Sequence, residues 1–346
     1  MLTRRRLLRT GAAALASPAL VGLAQSSVTL KFHTFMSPTS NVWLNMHKAW
    51  MDKVEKDSGG RIKFEAYPAM QLGGSPMQLY DQAKDGVVDI VWTLPGNTPG
   101  RFPRTEVFEL PFMMTNAEAT SRAFWEYIQT KAADEYRDIH LIALNVHGPG
   151  VFHVKSRLIT QPDDLRGLKM RGPTRQITKT LGHLGATPVG MPLPQIPDAL
   201  SKGVIDGCVL PWEVVPSVKV HELVSHHSEF DPKGGALYTT TFVMAMNKAR
   251  YESLPPDLKR VIDANSGPDT SAFLGRVQQA GDMPARRQAV ERGNRIHTLG
   301  LAQAQEFRRR ARLVEVEWVQ DMDRRGFNGR DLLESARRLI DKHTRA

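Results

Sequence analysis

A seven-residue pattern occurs twice in this chain and restricts the folds that are open to it. Residues 83–89 (AKDGVVD) and 200–206 (LSKGVID) both run from a helical segment through a glycine and two β-branched residues to an aspartate. The glycine suits the left-handed residue that ends a helix, and the β-branched pair predicts the start of a buried strand. In a chain of 346 residues, which is long enough for about two domains, the repeat predicts two similar α/β halves.

The hydrophobic pattern around each repeat agrees with this prediction. Strand patterns occur at 28–33, 61–67, 87–92, 141–146, 151–155, 168–171 and 239–246. Helical spacing of apolar residues occurs at 39–57, 75–84, 175–184 and 302–322. Strands that alternate with helices indicate α/β sheets with crossover helices, and the chain beyond Pro255 is predicted to be mostly helical.

The first 24 residues have the composition of an export signal. Arg4, Arg5, Arg6 and Arg9 precede an apolar stretch of small residues that ends at Ala24. This layout is typical of a secretory leader, and the TRRRLLR sequence resembles the twin-arginine (Tat) type. We expect cleavage near Ala24 and a soluble mature protein that works in the periplasm.

Charge and cysteine content exclude several classes of protein. The leader holds four of the arginines and no acidic residue, so a formal charge of +10 for the whole chain becomes 10 − 4 = +6 for the mature part. The basic residues near the C-terminus alternate with acidic ones, as on a solvated helix face, so we expect no nucleic-acid partner. Cys208 is the only cysteine, which excludes an internal disulfide.

No catalytic or metal-binding motif has the required spacing. Residues 221–227 (HELVSHH) resemble a zinc helix, but the histidines are five and six positions apart and not four. The chain has no G-x-S-x-G elbow and no Walker loop. We therefore expect no catalytic residues, no metal and no cofactor; a periplasmic hydrolase or lyase is the enzyme alternative, and it would need a convergent acid-base pair.

Several segments together resemble the solute-binding proteins of the tripartite ATP-independent periplasmic (TRAP) transporters, the DctP-like type. They lie in the order typical of that family at 59–64, 71–74, 85–89 (DGVVD), 108–112 (FELPF), 162–171 (PDDLRGLKMR), 185–188, 199–207 (ALSKGVIDG) and 254–255. The resemblance implies two hinged α/β lobes with a ligand cleft between them and long C-terminal helices. It places lobe I at 25–149 plus about 236–275, and lobe II at about 150–235 plus 276–346.

The same resemblance implies a function and a principal binding residue. Such a receptor captures a small organic acid and delivers it to the membrane permease subunits, and we expect it to work as a monomer. Arg171 aligns with the family's arginine that pairs with the ligand carboxylate, and a guanidinium offers two parallel N–H donors for that task. The alternative role for Arg171 is a domain-packing ion pair.

Two departures from the family pattern suggest an apolar ligand. Phe152 stands where several relatives have a second arginine, and Leu210 stands where many have an asparagine. The segments that line the cleft in relatives hold Phe35, Trp92, Phe152, Leu193, Leu210 and Trp212. These residues suit an aromatic or apolar monocarboxylate, or a 2-keto acid; for each aromatic the alternative is core packing.

The remaining candidate site residues leave more than one role open. Glu213 could support Arg171, contact a ligand hydroxyl or cation, or lie on the surface, and His33 could donate to the ligand carboxylate. A C4-dicarboxylate receptor and a sensory binding protein are the alternative functions, since both would use a similar cleft.

Overall fold

The computed structural model describes residues 27–345 as two α/β units, so the predicted leader lies outside the described residues. The strands in this part of the chain are β1 Val28–Thr34, β2 Ile62–Tyr67, β3 Ile90–Thr93, β4 Ile139–Val146, β5 Gly150–Val154, β6 Lys169–Gly172, β7 Thr187–Gly190, β8 Gly207–Pro211, β9 His226–Phe230, β10 Thr241–Asn247 and β11 Arg295–Leu299. They form one sheet in each unit.

The α-helices connect and cover these strands. They are α1 Lys48–Asp57, α2 Leu79–Lys84, α3 Ala117–Tyr127, α4 Arg175–His183, α5 Ile196–Ser201, α6 Val220–Leu223, α7 Lys248–Glu252, α8 Pro256–Ala264, α9 Pro268–Ala280, α10 Asp282–Glu291, α11 Leu301–Arg324 and α12 Gly329–Arg345. Within residues 27–345 no helix has the length and apolarity that crossing a membrane requires.

The first unit contains a five-stranded sheet in the order β2-β1-β3-β10-β4. Strand β1 pairs in parallel with β2 and β3, whereas β10 pairs antiparallel with β3 and β4. The chain therefore leaves this unit after β4 and returns to it as β10.

The second unit contains a six-stranded sheet in the order β11-β9-β5-β8-β6-β7. Strand β5 follows β4 after three residues, and β9 precedes β10, so the chain crosses between the units at both places; it crosses again between β10 and β11. Helix α11 packs against α4 of this unit. Helix α12 instead packs against α3 of the first unit, so the C-terminal helices contact both units.

The two repeats have the same role in the two sheets. Gly86 and Gly203 have φ of 77° and 71°, as the helix-ending position requires. Asp89 Oδ2 accepts a hydrogen bond from the backbone N–H of Lys31 at 2.7 Å, and Asp206 Oδ2 accepts one from Lys169 at 2.8 Å. Each aspartate therefore joins its segment to the neighbouring parallel strand of its own sheet.

The start of the strands after each repeat differs from the sequence prediction. Val87 and Val204 are 63% and 50% exposed, and the strands begin three residues later, at Ile90 and Gly207. Only the second β-branched residue of each pair, Val88 or Ile205, is buried. The first valine directly follows the left-handed glycine, where the backbone is still turning away from the helix.

Candidate functional site

A cavity with about 400 Å³ of empty space, part of it open to solvent, lies between the two units. Its apolar walls are formed by residues from both sheets and from the turns beside them: Phe35, Met36, Trp92, Leu94, Pro173, Leu193, Leu210, Pro211, Val214 and Phe242. The polar groups that face it are His147, Arg171, Glu213, Tyr238, Thr240 and Gln278. A mostly apolar lining with a few polar groups is typical of a site for one small ligand.

Stacked aromatic rings form one wall of the cavity. Trp92 on β3 and Phe242 on β10 lie 4.2 Å apart between ring centroids, with 9° between the ring planes. Phe35, just after β1, also stacks on Trp92, with 5.7 Å between the ring centroids and 22° between the ring planes. Strands β1, β3 and β10 are neighbours in the first sheet, and this register brings the three rings together. The wall offers flat aromatic surface to a ligand ring.

Arg171 is a buried cation without an anionic partner in the described part of the chain. Only 3% of the residue is exposed, and its Nε donates to the Met191 carbonyl at 2.9 Å while Nη1 donates to the Val209 carbonyl at 3.4 Å. Desolvation lowers the pKa of Arg171 to about 10. The two carbonyls fix the orientation of the guanidinium and leave its other N–H groups free for a ligand.

Neutral polar groups lie beside Arg171. His147 Nε2 accepts from the backbone N–H of Thr240 at 3.0 Å, so the proton of the ring is on Nδ1, which donates to the Gly148 carbonyl. Burial lowers the pKa of His147 to about 4, which keeps the ring uncharged. The Tyr238 hydroxyl is buried and has no hydrogen-bond partner among residues 27–345.

The Tyr238 ring owes its position to a glycine. A Cβ atom at Gly150 would lie 1.9 Å from the ring, and the backbone N–H of Gly150 donates to the Tyr238 carbonyl at 3.0 Å. Since no other residue fits there, Gly150 allows the two crossing segments of chain to lie side by side.

A chain of hydrogen bonds ends at the carboxyl group of Glu213. Trp92 Nε1 donates to Asn145 Oδ1 at 3.1 Å, Asn145 Nδ2 donates to Gln278 Oε1 at 2.5 Å, and Gln278 Nε2 donates to Glu213 Oε1 at 3.1 Å. Burial, together with the nearby Asp282 carboxylate, raises the pKa of Glu213 to about 8. The second carboxyl oxygen, Oε2, has no partner among the described residues.

The structure places six of the nine predicted site residues at this cavity: Phe35, Trp92, Arg171, Leu193, Leu210 and Glu213. It places the other three elsewhere, which corrects the expectation that they line the cleft. His33 Nδ1 is hydrogen-bonded to Gln82 Oε1 of α2 at 2.8 Å. Trp212 turns away, because its Nε1 donates to Glu229 at 2.8 Å and its ring packs on His153 and His227.

Phe152 faces the opposite side of the second sheet. On β5 it pairs with Val209 of β8, whereas Leu210, which lines the cavity, pairs with Val151. Because successive side chains of a strand point to opposite faces, Phe152 and Leu210 cannot both face the cavity. Phe152 packs instead against Phe230 and Phe307 in the core of the second unit.

The sequence prediction missed several of the residues that line the cavity. His147 and Tyr238 lie at breaks beside predicted strands, where the chain crosses between the units, whereas Thr240 and Phe242 lie at the start of the predicted strand 239–246. The sequence signal that could have identified these residues is their position near the points where the chain passes from one predicted unit to the other. Gln278 lies within α9, and no local pattern distinguishes it from a surface glutamine.

The fold and the site together define a class of protein. Two α/β units, joined by crossing segments, line a mostly apolar cavity that holds Arg171, which has no anionic partner among residues 27–345. Residues 27–345 contain no cluster of three or more metal-ligating side chains. This is the architecture of a two-lobed solute-binding protein.

The comparison with known families is specific. Residues 32–319 match the family of bacterial extracellular solute-binding proteins, family 7 (DctP). The chain belongs to this family, whose members are the receptors of TRAP transporters and deliver their ligands to a membrane permease.

Solved structures and characterised relatives agree with this assignment. A TRAP solute-binding protein from Rhodoferax ferrireducens T118, in complex with copurified benzoate, is 71% identical, with a TM-score of 0.92 over 92% of this chain and 99% of that one. A marine metagenome TRAP protein specific for aromatic acid ligands, with 3-hydroxybenzoate, is 48% identical, with a TM-score of 0.90 over 92% and 99%. The C4-dicarboxylate-binding periplasmic protein DctP of Rhodobacter capsulatus is 28% identical over 288 residues, which are 82% of this chain and 84% of that protein.

Proposed function

We propose that this protein is the periplasmic receptor for an aromatic monocarboxylate. The observation that carries the proposal is Arg171, a buried guanidinium that has no anion to pair with among residues 27–345. A buried charge without a partner is costly, so a ligand carboxylate at this point would compensate a cost that the empty site already bears.

The rest of the cavity suits the rest of such a ligand. The stacked rings of Phe35, Trp92 and Phe242 offer a flat apolar surface, and Leu193 and Leu210 also line the cavity. In the described residues that line the cavity, Arg171 is the only arginine or lysine, so a second carboxylate would have no cation to receive it. The benzoate and 3-hydroxybenzoate bound by the two similar TRAP proteins support this choice of ligand class.

The receptor role implies a working cycle outside the cytoplasm. The leader, which we propose is read by the Tat translocase, exports the chain, and the mature protein acts as a monomer whose units close on the ligand. The closed form then delivers the acid to the permease. The protein takes no part in catalysis or in nucleic-acid binding.

A thermal-shift screen of the mature protein, residues 25–346, tests this function. The protein is unfolded and refolded first to remove any carried-over ligand, and is then titrated with benzoate, phenylacetate, pyruvate, succinate and galactonate. A ligand at one hundred times its Kd stabilises the protein by about 2.7 kcal/mol, which is a readily measured rise in Tm. A response only to succinate or galactonate would contradict the aromatic assignment, and silence to all five acids would contradict the carboxylate-receptor function.

A further inference from the structure

Glu213 is a second polar residue of the cavity, besides Arg171, that lacks a hydrogen-bond partner among the described residues for part of its side chain. Glu213 is 4% exposed, and its Oε2 has no hydrogen-bond partner within the part of the chain that the structure describes. A buried polar atom in this state is destabilising unless something else contacts it. Since Glu213 lines the cavity, that contact is available from the ligand.

The hydrogen-bond chain behind Glu213 determines which of its two carboxyl oxygens is left unpaired. The Trp92 indole can only donate, so the oxygen of Asn145 faces it and the Asn145 amide nitrogen faces Gln278. The oxygen of Gln278 accepts that bond, and its nitrogen therefore donates to Glu213 Oε1. Oε2 is left for the ligand, and any proton on the carboxyl group is on Oε2, because Oε1 already accepts a hydrogen bond.

Arg171 and Glu213 are held by different neighbours. The Arg171 guanidinium bonds to carbonyls of Met191 and Val209 in the second unit, whereas the Glu213 carboxyl bonds to Gln278 on α9. Both residues line the same cavity, so one ligand can contact Arg171 with its carboxylate and Glu213 with another group.

We propose that Glu213 Oε2 forms a second subsite that recognises a hydroxyl group on the ring of the aromatic acid, at the meta or para position. This inference rests on the proposed function. It specifies, within the aromatic monocarboxylates, those that carry a hydroxyl group on the ring. A hydroxyl can both donate and accept, so it satisfies Oε2 whether Glu213 carries its proton or not. Unsubstituted benzoate leaves the oxygen unpaired. An ortho hydroxyl lies beside the carboxylate that Arg171 holds and does not extend to Glu213.

The charged and titratable groups around Glu213 favour its protonated form near neutral pH. Asp282 of α10 accepts from the Glu213 backbone N–H at 2.9 Å, and its own pKa is raised to about 7 by burial. Helix α9 presents the neutral Gln278, and Asn41 lies beside Gly281 next to the Glu213 Cβ. Arg171 and the neutral His147 face the same cavity. With a pKa of about 8, Glu213 then donates from Oε2 to the ligand oxygen below pH 8.

Affinity ratios test the subsite. The Kd of benzoate is compared by calorimetry at pH 7 with those of 2-, 3- and 4-hydroxybenzoate on the refolded mature protein. We expect the 3- or the 4-hydroxy acid to bind about tenfold or more tightly than benzoate, the effect of satisfying one buried polar atom, and 2-hydroxybenzoate to show no such gain. In Glu213→Leu the ratio of the benzoate Kd to the Kd of the preferred hydroxy acid falls to about one or below, since no oxygen remains to be satisfied.

The pH dependence separates a subsite from a packing effect. A methoxy oxygen can only accept a hydrogen bond, so it needs the proton of Glu213. Glu213 loses that proton as the pH rises from 7 to 9. The corresponding methoxybenzoate therefore binds more weakly over this range, when its Kd is compared with that of the hydroxy acid. Glu213→Gln cannot titrate and keeps a constant ratio over that range, although Asp282 is still present. If Glu213 had only a structural role, the ratio of the benzoate Kd to the hydroxy-acid Kd would not change in Glu213→Leu. The ratio of the methoxybenzoate Kd to the hydroxy-acid Kd would not change with pH.

The outcomes distinguish this inference from the proposed function. Equal affinity for benzoate and all three hydroxybenzoates, with no change of ratio in Glu213→Leu, overturns the subsite and leaves the aromatic-acid receptor intact. That result would mean that Oε2 is satisfied by a bound water. Failure of benzoate and of every hydroxybenzoate to bind contradicts the receptor function itself.

Discussion

Thr174 donates a hydrogen bond to Glu109 Oε2 at 2.6 Å, from the second unit to the first. The other carboxyl oxygen of Glu109 accepts from the Thr241 backbone and hydroxyl at 3.1 and 2.7 Å. The approach is close, because a Cβ atom at Gly96 would lie 2.4 Å from Thr174 Cγ2. The two units therefore meet through specific contacts beside Pro173, which lines the cavity.

We expect Thr174→Val to weaken ligand binding. The change keeps the volume and removes the donor, so closure would bury an unsatisfied Glu109 oxygen at a cost of about 1–3 kcal/mol, or about 5- to 150-fold in Kd. Calorimetry with benzoate, or with whichever acid the screen identifies, measures the effect.

Thr180→Val is the matched control for this prediction. Thr180 is also buried, but its hydroxyl donates to the Gln176 carbonyl within α4, so the bond does not join the units. We expect this variant to lower Tm without changing Kd. Equal Kd values for Thr174→Val and the wild type would show that the Thr174–Glu109 bond does not contribute to closure.

The stability of the ligand-free protein should fall as the pH rises from 6.5 to 9. Burial raises the pKa of Glu109 to about 7, of Asp282 to about 7 and of Glu213 to about 8. The folded state therefore binds more protons than the unfolded state in this range, and the stability that these groups contribute is lost as the pH rises through the folded pKa values. The buried histidines do not contribute to this pH dependence. The pKa of His147, for example, is lowered to about 4, so its titration affects the stability only below about pH 6.5.

Thermal unfolding at half-unit pH steps measures this slope. Glu213→Gln should have a shallower decline than the wild type, because one of the three groups no longer titrates. A Tm that is constant or rises between pH 7 and 9 would mean that these carboxyl groups are not protonated in the native protein.

The sequence was sufficient for the fold because each unit is specified by local and repeated patterns. Gly86 and Gly203 end helices through a backbone conformation that few other residues adopt, and Asp89 and Asp206 repeat one contact in both sheets. These features depend on residues close in sequence or on a neighbouring strand. The packing of α12 onto α3 depends on long-range contact between helix faces, which periodicity alone does not assign to a partner.

The site was only partly predictable for a related reason. Arg171, Leu210 and Trp92 were identified through the family resemblance, but the face to which a strand residue points depends on the register of pairing. Phe152 was assigned to the cleft, although the β5–β8 register places it on the other face. Gln278 and Tyr238 reach the cavity through the packing of α9 and the crossing segments, which no local pattern specifies.

We expect Phe152→Ala to reduce stability without changing ligand preference. Phe152 is fully buried against Phe230 and Phe307, and removal of a core phenylalanine costs about 3–5 kcal/mol. Urea unfolding measures the loss, and the Kd ratio between two aromatic acids measures preference at a temperature where the variant is folded. A changed ratio would indicate that Phe152 does contact the ligand.

Arg171 gives the most direct test of the proposed function. Arg171→Ala should abolish most of the affinity for the aromatic acid, because a carboxylate would then be buried without its cation, at a cost of about 3–5 kcal/mol or at least 100-fold in Kd. Arg171→Lys keeps the charge but not the two parallel N–H donors, so we expect an intermediate loss. The ligand-free Tm of Arg171→Ala should not fall, since the change removes a buried charge that has no counter-ion among the described residues. Tight binding in Arg171→Ala with an unchanged Tm would place the carboxylate elsewhere in the cavity; a collapse of Tm would instead identify Arg171 as a structural residue.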